Sequence, residues 1–312
     1  MVINKAFIMK ILLLFIALFN HNKVHAVPTF PMDKTDIIRI ASSHSKMDVR
    51  ANYTFEVLQH ALRLSVDKYG QFQIEKRPIS MSNDVTFYEL SRGKIINVAM
   101  GGATPDKDHL ATPIRIPIRR GILNYRLLVI NKEKRDDFKK INSLAQLKEY
   151  SAGIHANAVT SEIMNVLGFN VIEGASYDGM FKQLSKGWFD YIPRGIHEAY
   201  DELELRKETI DNLMIEPHLA LYMPMPYYIY VSPAFPKLAE RLTYGLEKMI
   251  EQGLIKTLFD QYYAEDIKRA NLSERTIIEI GNPFLSPETP FSRKELWMDD
   301  FAIKKSPSLV KY

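Results

Sequence analysis

The chain has 312 residues, 46% hydrophobic and 25% charged, which are ordinary values for a globular protein. It contains no cysteine, so disulfides, thiolate metal sites, a cysteine nucleophile and a lipid anchor on a signal-adjacent cysteine are all excluded. The net charge of +4 is mostly N-terminal: residues 1–26 hold three lysines and no acid, and without them it falls to about +1, which gives no support to nucleic-acid or anionic-membrane binding.

Lys5 and Lys10 precede an unbroken apolar run at 11–19. A polar stretch follows, then Val24-His25-Ala26, with small residues where a signal peptidase reads. That is the pattern of a secretory signal peptide. The run is about half the roughly 20 residues that a membrane-spanning helix needs. The expectation is a mature chain from Val27, free in the periplasm, with no cofactor.

The next segments alternate between strand-like and helix-like patterns. Residues 37–41 form a short apolar run, the mark of a buried strand. Phe55, Leu58, Leu62 and Val66 recur at helical spacing, and Gly70 closes that helix. Strands are predicted at 72–74, 95–100 and 125–130, with a short helix at 85–90.

Ser143 caps a helix at 144–150. Beyond it come a strand at 153–154, a helix at 160–167, a strand at 170–172 and a helix at 177–184. A strand at 189–192 leads through Pro193-Arg194-Gly195 into a helix at 196–205. The strand 227–231 and the helices 236–252 and 254–263 close the pattern. Such alternation indicates an α/β fold with mostly parallel sheets. The last 45 or so residues lack it, and their prolines suit an extended tail laid over the surface.

Five passages, in this order, resemble the family-3, amino-acid-binding type of periplasmic solute-binding protein. They are the helix at 55–66; the short helix, Gly93, strand and Thr104 of 87–104; the strand 125–131 followed by I-N-S-L-A-Q-L at 141–147; the helix, Gly187 and Asp190 of 180–190; and the two closing helices of 238–262. Within that group the D-Y-x-P-R-G segment at 190–195 is similar to an uncharacterised subset. The resemblance implies an α/β, two-lobe periplasmic-binding-protein type II fold with hinge strands and an interlobe cleft. Lobe 1 would be 33–123 plus 231–270, lobe 2 would be 129–225, and 271–312 a C-terminal extension. The hinges would lie near 123–128 and 226–230. A monomer that captures a small polar ligand for an ABC permease is the implied role, with presentation to a membrane receptor as the alternative.

Ligands in open α/β sheets bind beyond the carboxyl ends of strands. The loops there hold Ser43, Gly102, Thr104, Asn157 and Thr160. The stretch 158–161 opens a helix, whose N–H groups and positive dipole end suit a carboxylate. Ordinary turn chemistry is the competing reading. Arg194, and at least one of Arg115, Arg119 and Arg120, are candidates for pairing with an anion, Arg119 foremost. For Arg194 the alternative is an ion pair with Glu198, four residues on. Tyr88, Tyr125, Tyr191 and Tyr222 are candidates to stack on a ligand, although core packing is the commoner fate of a tyrosine.

The family's amino-acid binders hold the ligand α-carboxylate with an arginine after a T-x-T-x-x-R stretch. Lys107 stands at that place here, flanked by acids. A lysine cannot form the same two-pronged pairing. There is no P-loop and no G-x-G-x-x-G. His197-Glu198 lacks the second histidine of a zinc protease, and Ser43-x-x-Lys46 has no supporting motif. An enzyme on the same scaffold, of the cyclohexadienyl dehydratase type, would need Glu198 or Asp190 as its acid.

Overall fold

The computed structural model describes residues 35–42, 49–79, 81–156 and 158–298, excepting the side chains of 49–51. The signal segment and the candidates Ser43 and Asn157 lie outside the described residues.

The elements run β1 (Asp36–Ala41), α1 (Val49–Arg63), β2 (Phe72–Arg77), α2 (Asn83–Arg92), β3 (Val98–Gly102), α3 (Pro105–Leu110), β4 (Thr112–Ile114) and β5 (Tyr125–Asn131). Then come β6 (Ser151–His155), α4 (Val159–Val166), β7 (Asn170–Gly174), α5 (Tyr177–Ser185), β8 (Tyr191–Gly195) and α6 (Ala199–Glu204). Last are β9 (Leu213–Ile215), β10 (Leu219–Tyr222), β11 (Tyr227–Val231), α7 (Pro236–Glu251), α8 (Leu254–Ala270) and β12 (Thr276–Glu279).

β1 and β2 pair in parallel, and β11 lies antiparallel between β3 and β4. The Asn97 side chain stitches these groups together. It accepts from Arg39 N at 2.7 Å and donates to Ile37 O at 2.8 Å, so β1 is bound to the start of β3. The larger sheet runs β12-β10-β5-β8-β6-β7, with β9 beside β5. The expected sheets were mostly parallel. Those found are mixed, because β5 and β11 run against their neighbours.

Alternation along β11 decides what packs on each face. Tyr228 and Tyr230 join a small core with Phe87 and Leu90 of α2. Ile229 and Val231 face the main core with α1, α7 and α8. The buried stripe of α1 is Tyr53, Val57, Leu58, Ala61 and Leu62, and Phe55 is only half buried. α7 approaches α1 so closely at Gly245 that an added Cβ would stand 1.9 Å from Ala61 O.

A second large core collects Phe138, Leu147, Ile154, Ile163, Met164 and Tyr191. β5 and β10 belong to both large cores. Tyr125 and Leu127 are in the first, Leu128 and Ile130 in the second; Ala220 and Tyr222 are in the first, Leu219 and Leu221 in the second. Because side chains alternate along a strand, β5 and β10 present one face to each core.

The tail departs from the expected surface path. Its TIIE segment forms β12, parallel to β10, and Ile278 and Ile280 enter the second core. Leu296 and Trp297 are buried in the first. The prolines at 283, 287 and 290 sit in the connections and leave these apolar residues free to pack.

Candidate functional site

The antiparallel pairing of β5 with β8 sets Arg126 opposite Gly195, and Leu127 opposite Arg194. The first turn of β5 is therefore level with the carboxyl end of β8. The end of β6, Ile154 and His155, meets them there. Ala158 and Thr160 of the α4 start, and Tyr177, Met180 and Phe181 of α5, complete a cavity of about 50 Å³.

Two arginines line this cavity, and Arg126 is the one without a carboxylate partner among the described residues. It is 7% exposed, its Nε is buried with no hydrogen-bond partner among the described residues, and its Nη2 donates to the thioether of Met225 at 3.1 Å. Burial, helped by the nearby charge of Arg194, holds its pKa down to about 10, against a lesser pull upward from the carboxylates of Glu198 and Glu202. A thioether is a weak acceptor, so most of the donor capacity of this guanidinium is unspent.

Arg194 lines the same cavity in the opposite condition. Its Nε donates to Glu202 Oε2 at 2.6 Å and its Nη2 to Glu202 Oε1 at 2.5 Å. Glu198 Oε2 lies 3.0 Å from Nη2, and the Tyr177 hydroxyl accepts from it at 3.1 Å. Burial alone would push its pKa down, but Glu198 and Glu202 outweigh it and hold the pKa well above the ordinary value. Glu202 also accepts from the Tyr177 hydroxyl, and Glu198 from Gly195 N. Both carboxylates are thus committed to neighbours.

Thr160 sits over the cavity in the first turn of α4, whose cap residue Ala158 supplies no side-chain hydrogen bond. First-turn N–H groups without a side-chain cap carry the positive end of the helix dipole.

The other predicted residues stand elsewhere. Thr104 caps α3 by accepting from Lys107 N, and Gly102 ends β3; neither lines this cavity. Lys107 donates to Gly102 O at 2.8 Å and lies 5.1 Å from the Phe87 ring centre. Burial lowers its pKa, offset in part by Asp84, by Glu162 of α4, and by Asp108. Tyr88 is 55% exposed on α2. Arg119 is buried with its guanidinium 4.4 Å from the Tyr227 ring centre. Tyr222 is fully buried edge-on to Tyr125 at 5.3 Å.

Sequence reasoning passed over Arg126. The available signal was a lone charge inside the apolar run 125–130, where all seven positions of β5 prove to be buried. Among the described residues no cluster of His, Cys, Asp or Glu is placed to hold a metal ion, and no helix is long and apolar enough to cross a membrane.

The chain is similar to a histidine kinase sensor domain with similarity to periplasmic binding proteins. The TM-score is 0.51 at 12% identity, over 75% of this chain and 97% of that one. It is also similar to an ancestral arginine-binding protein bound to glutamine, with TM-score 0.50 at 16% identity, over 74% of this chain and 99% of that one. This is the type II periplasmic-binding-protein fold. No family model and no curated protein matches the sequence. Arg126 stands on β5, a strand that presents one face to each of the two large cores.

Proposed function

We propose that this protein is a periplasmic solute-binding protein that captures a small polar or anionic ligand between two lobes and presents it to an ABC transporter. The carrying observation is Arg126, a buried guanidinium with an unpartnered Nε, in a cavity at the converging strand ends. A buried charge without a matched partner is costly, and such groups concentrate at functional sites. The lobes are taken as 33–123 plus 231–270 and 129–225, with bending at β5 and at 226–230. Closure over the ligand removes most of it from water, so few contacts suffice for tight binding.

Binding fits better than catalysis. Of the two candidate acids, Glu198 is held by Arg194 and Gly195 N. Asp190 accepts from Ser151 N at 2.8 Å and Ser151 Oγ at 2.7 Å, at the start of β8 and away from the cavity. The likeness to a kinase sensor domain favours a second reading, in which the same module reports occupancy to a membrane receptor.

The test is thermal denaturation of the purified chain with amino acids, dicarboxylates and polyamines. A ligand at 100 times its Kd adds about 2.7 kcal/mol of stability, a shift of several degrees. No shift with any of the panel removes the proposal.

A further inference from the structure

We infer that the group recognised in the cavity at Arg126 is the carboxylate of a small organic acid that carries no ammonium group beside it. This rests on the solute-binding reading and narrows its ligand class. Arg126 has unspent donors in the cavity, while the carboxylates around it are engaged. Arg126 Nε has no partner, and its Nη2 reaches only a thioether among the described residues. The first turn of α4 opens onto the same space without a side-chain cap. Aligned N–H groups at a helix start and a planar guanidinium both favour an oxyanion, the latter two-pronged.

An ammonium group needs acceptors, and among the described residues the cavity lining contains no aspartate or glutamate. Glu198 and Glu202, beside Arg194, give their oxygens to Arg194, Tyr177 and Gly195 N. Recruiting either for a ligand would strip Arg194 of its partner. Lys107 of α3 donates to the Gly102 carbonyl at the end of β3.

Size and surroundings select the acid. The space of about 50 Å³ is several times the ~10–15 Å³ that one water needs, enough for an oxyanion head. Ile154, Met180, Phe181 and Ile192 form its apolar walls. Such walls suit a short carbon body and give nothing to a bare inorganic ion.

The test is calorimetric titration of the purified chain with matched pairs, succinate against L-aspartate and glutarate against L-glutamate, with inorganic phosphate as a third arm. At least one des-amino acid should bind at least 10-fold more tightly than its amino partner. Phosphate should bind more weakly than that acid. Arg126→Gln should weaken the acid at least 100-fold, with Arg126→Lys recovering part of the loss. A circular dichroism melt confirms that each variant is folded.

Equal or tighter binding of the amino acids overturns the inference and leaves solute binding standing. Unchanged affinity in folded Arg126→Gln does the same. Tightest binding by phosphate shows an oxyanion site but refutes the organic acid. Absence of binding in every arm overturns both the inference and the reading beneath it.

Discussion

Arg126 and Arg194 line one cavity and show how the same side chain serves two ends. Arg194 is a cation with its partners supplied, and the spacing of Glu198 made part of that legible in the sequence. Glu202, eight residues on, contributes the two-pronged contact through a turn that spacing did not reveal. Arg126 has no such carboxylate pairing. Its pKa, held near 10 against an ordinary 12.5, corresponds to a cost on the order of 3 kcal/mol for keeping the charge buried. Both folded and unfolded forms are protonated near pH 7, so this cost is independent of pH there. Arg126→Met should therefore raise the melting temperature of the ligand-free protein by several degrees while removing its response to ligand. A variant that melts lower than the parent would mean that Arg126 holds the strand ends together rather than waiting for a ligand.

The elements were most legible where a strand is long and apolar or where glycine ends a helix. β5 and β11 stand close to their predicted limits, and α2 ends at Gly93, whose φ of 63° suits a residue without a Cβ. The unrecognised strands β4, β9, β10 and β12 have only three or four residues each. So short a stretch has no period to read, and its pairing is fixed by partners distant in sequence. At 193–195 the expected turn into a helix is the end of β8, because antiparallel pairing with β5 extends the strand to Gly195. The same non-local effect draws the tail inward. Trp297 is 2% exposed, stacks on Phe291 at 5.0 Å, and donates from Nε1 to Pro290 O at 3.1 Å. Trp297→Ala should cost about 3–5 kcal/mol in urea unfolding, a large fraction of the stability of a typical domain. A tail that merely lay on the surface would lose less than about 0.5 kcal/mol.

Across the whole molecule, the sheet of β5 and β10 is not the sole place where the elements of the two large cores meet. The segment after β8 also reaches the main core, where Ile196 and Ala199 are buried, and α6 lies against α8. The Tyr200 hydroxyl donates to Arg269 O at 2.6 Å, Arg269 pairs with Asp201 at 3.1 Å, and the His197 ring meets Tyr263 edge-on. This seam has a pH signature. Burial raises the Asp266 pKa to about 6 from 3.8, helped by Asp201 and Glu265 and opposed by Arg269. Between these values the folded state holds a proton that the unfolded state has lost. Stability supplied by this group is thus present at low pH and fades as pH rises from about 4 to about 6. Asp266 is partly exposed, so solvent screening reduces the effect to about 1 kcal/mol. Asp266→Asn should flatten that part of the stability profile and raise the melting temperature at pH 7. If the variant keeps the parent's slope between pH 4 and 6, the burial of Asp266 is not the source of pH dependence at this seam.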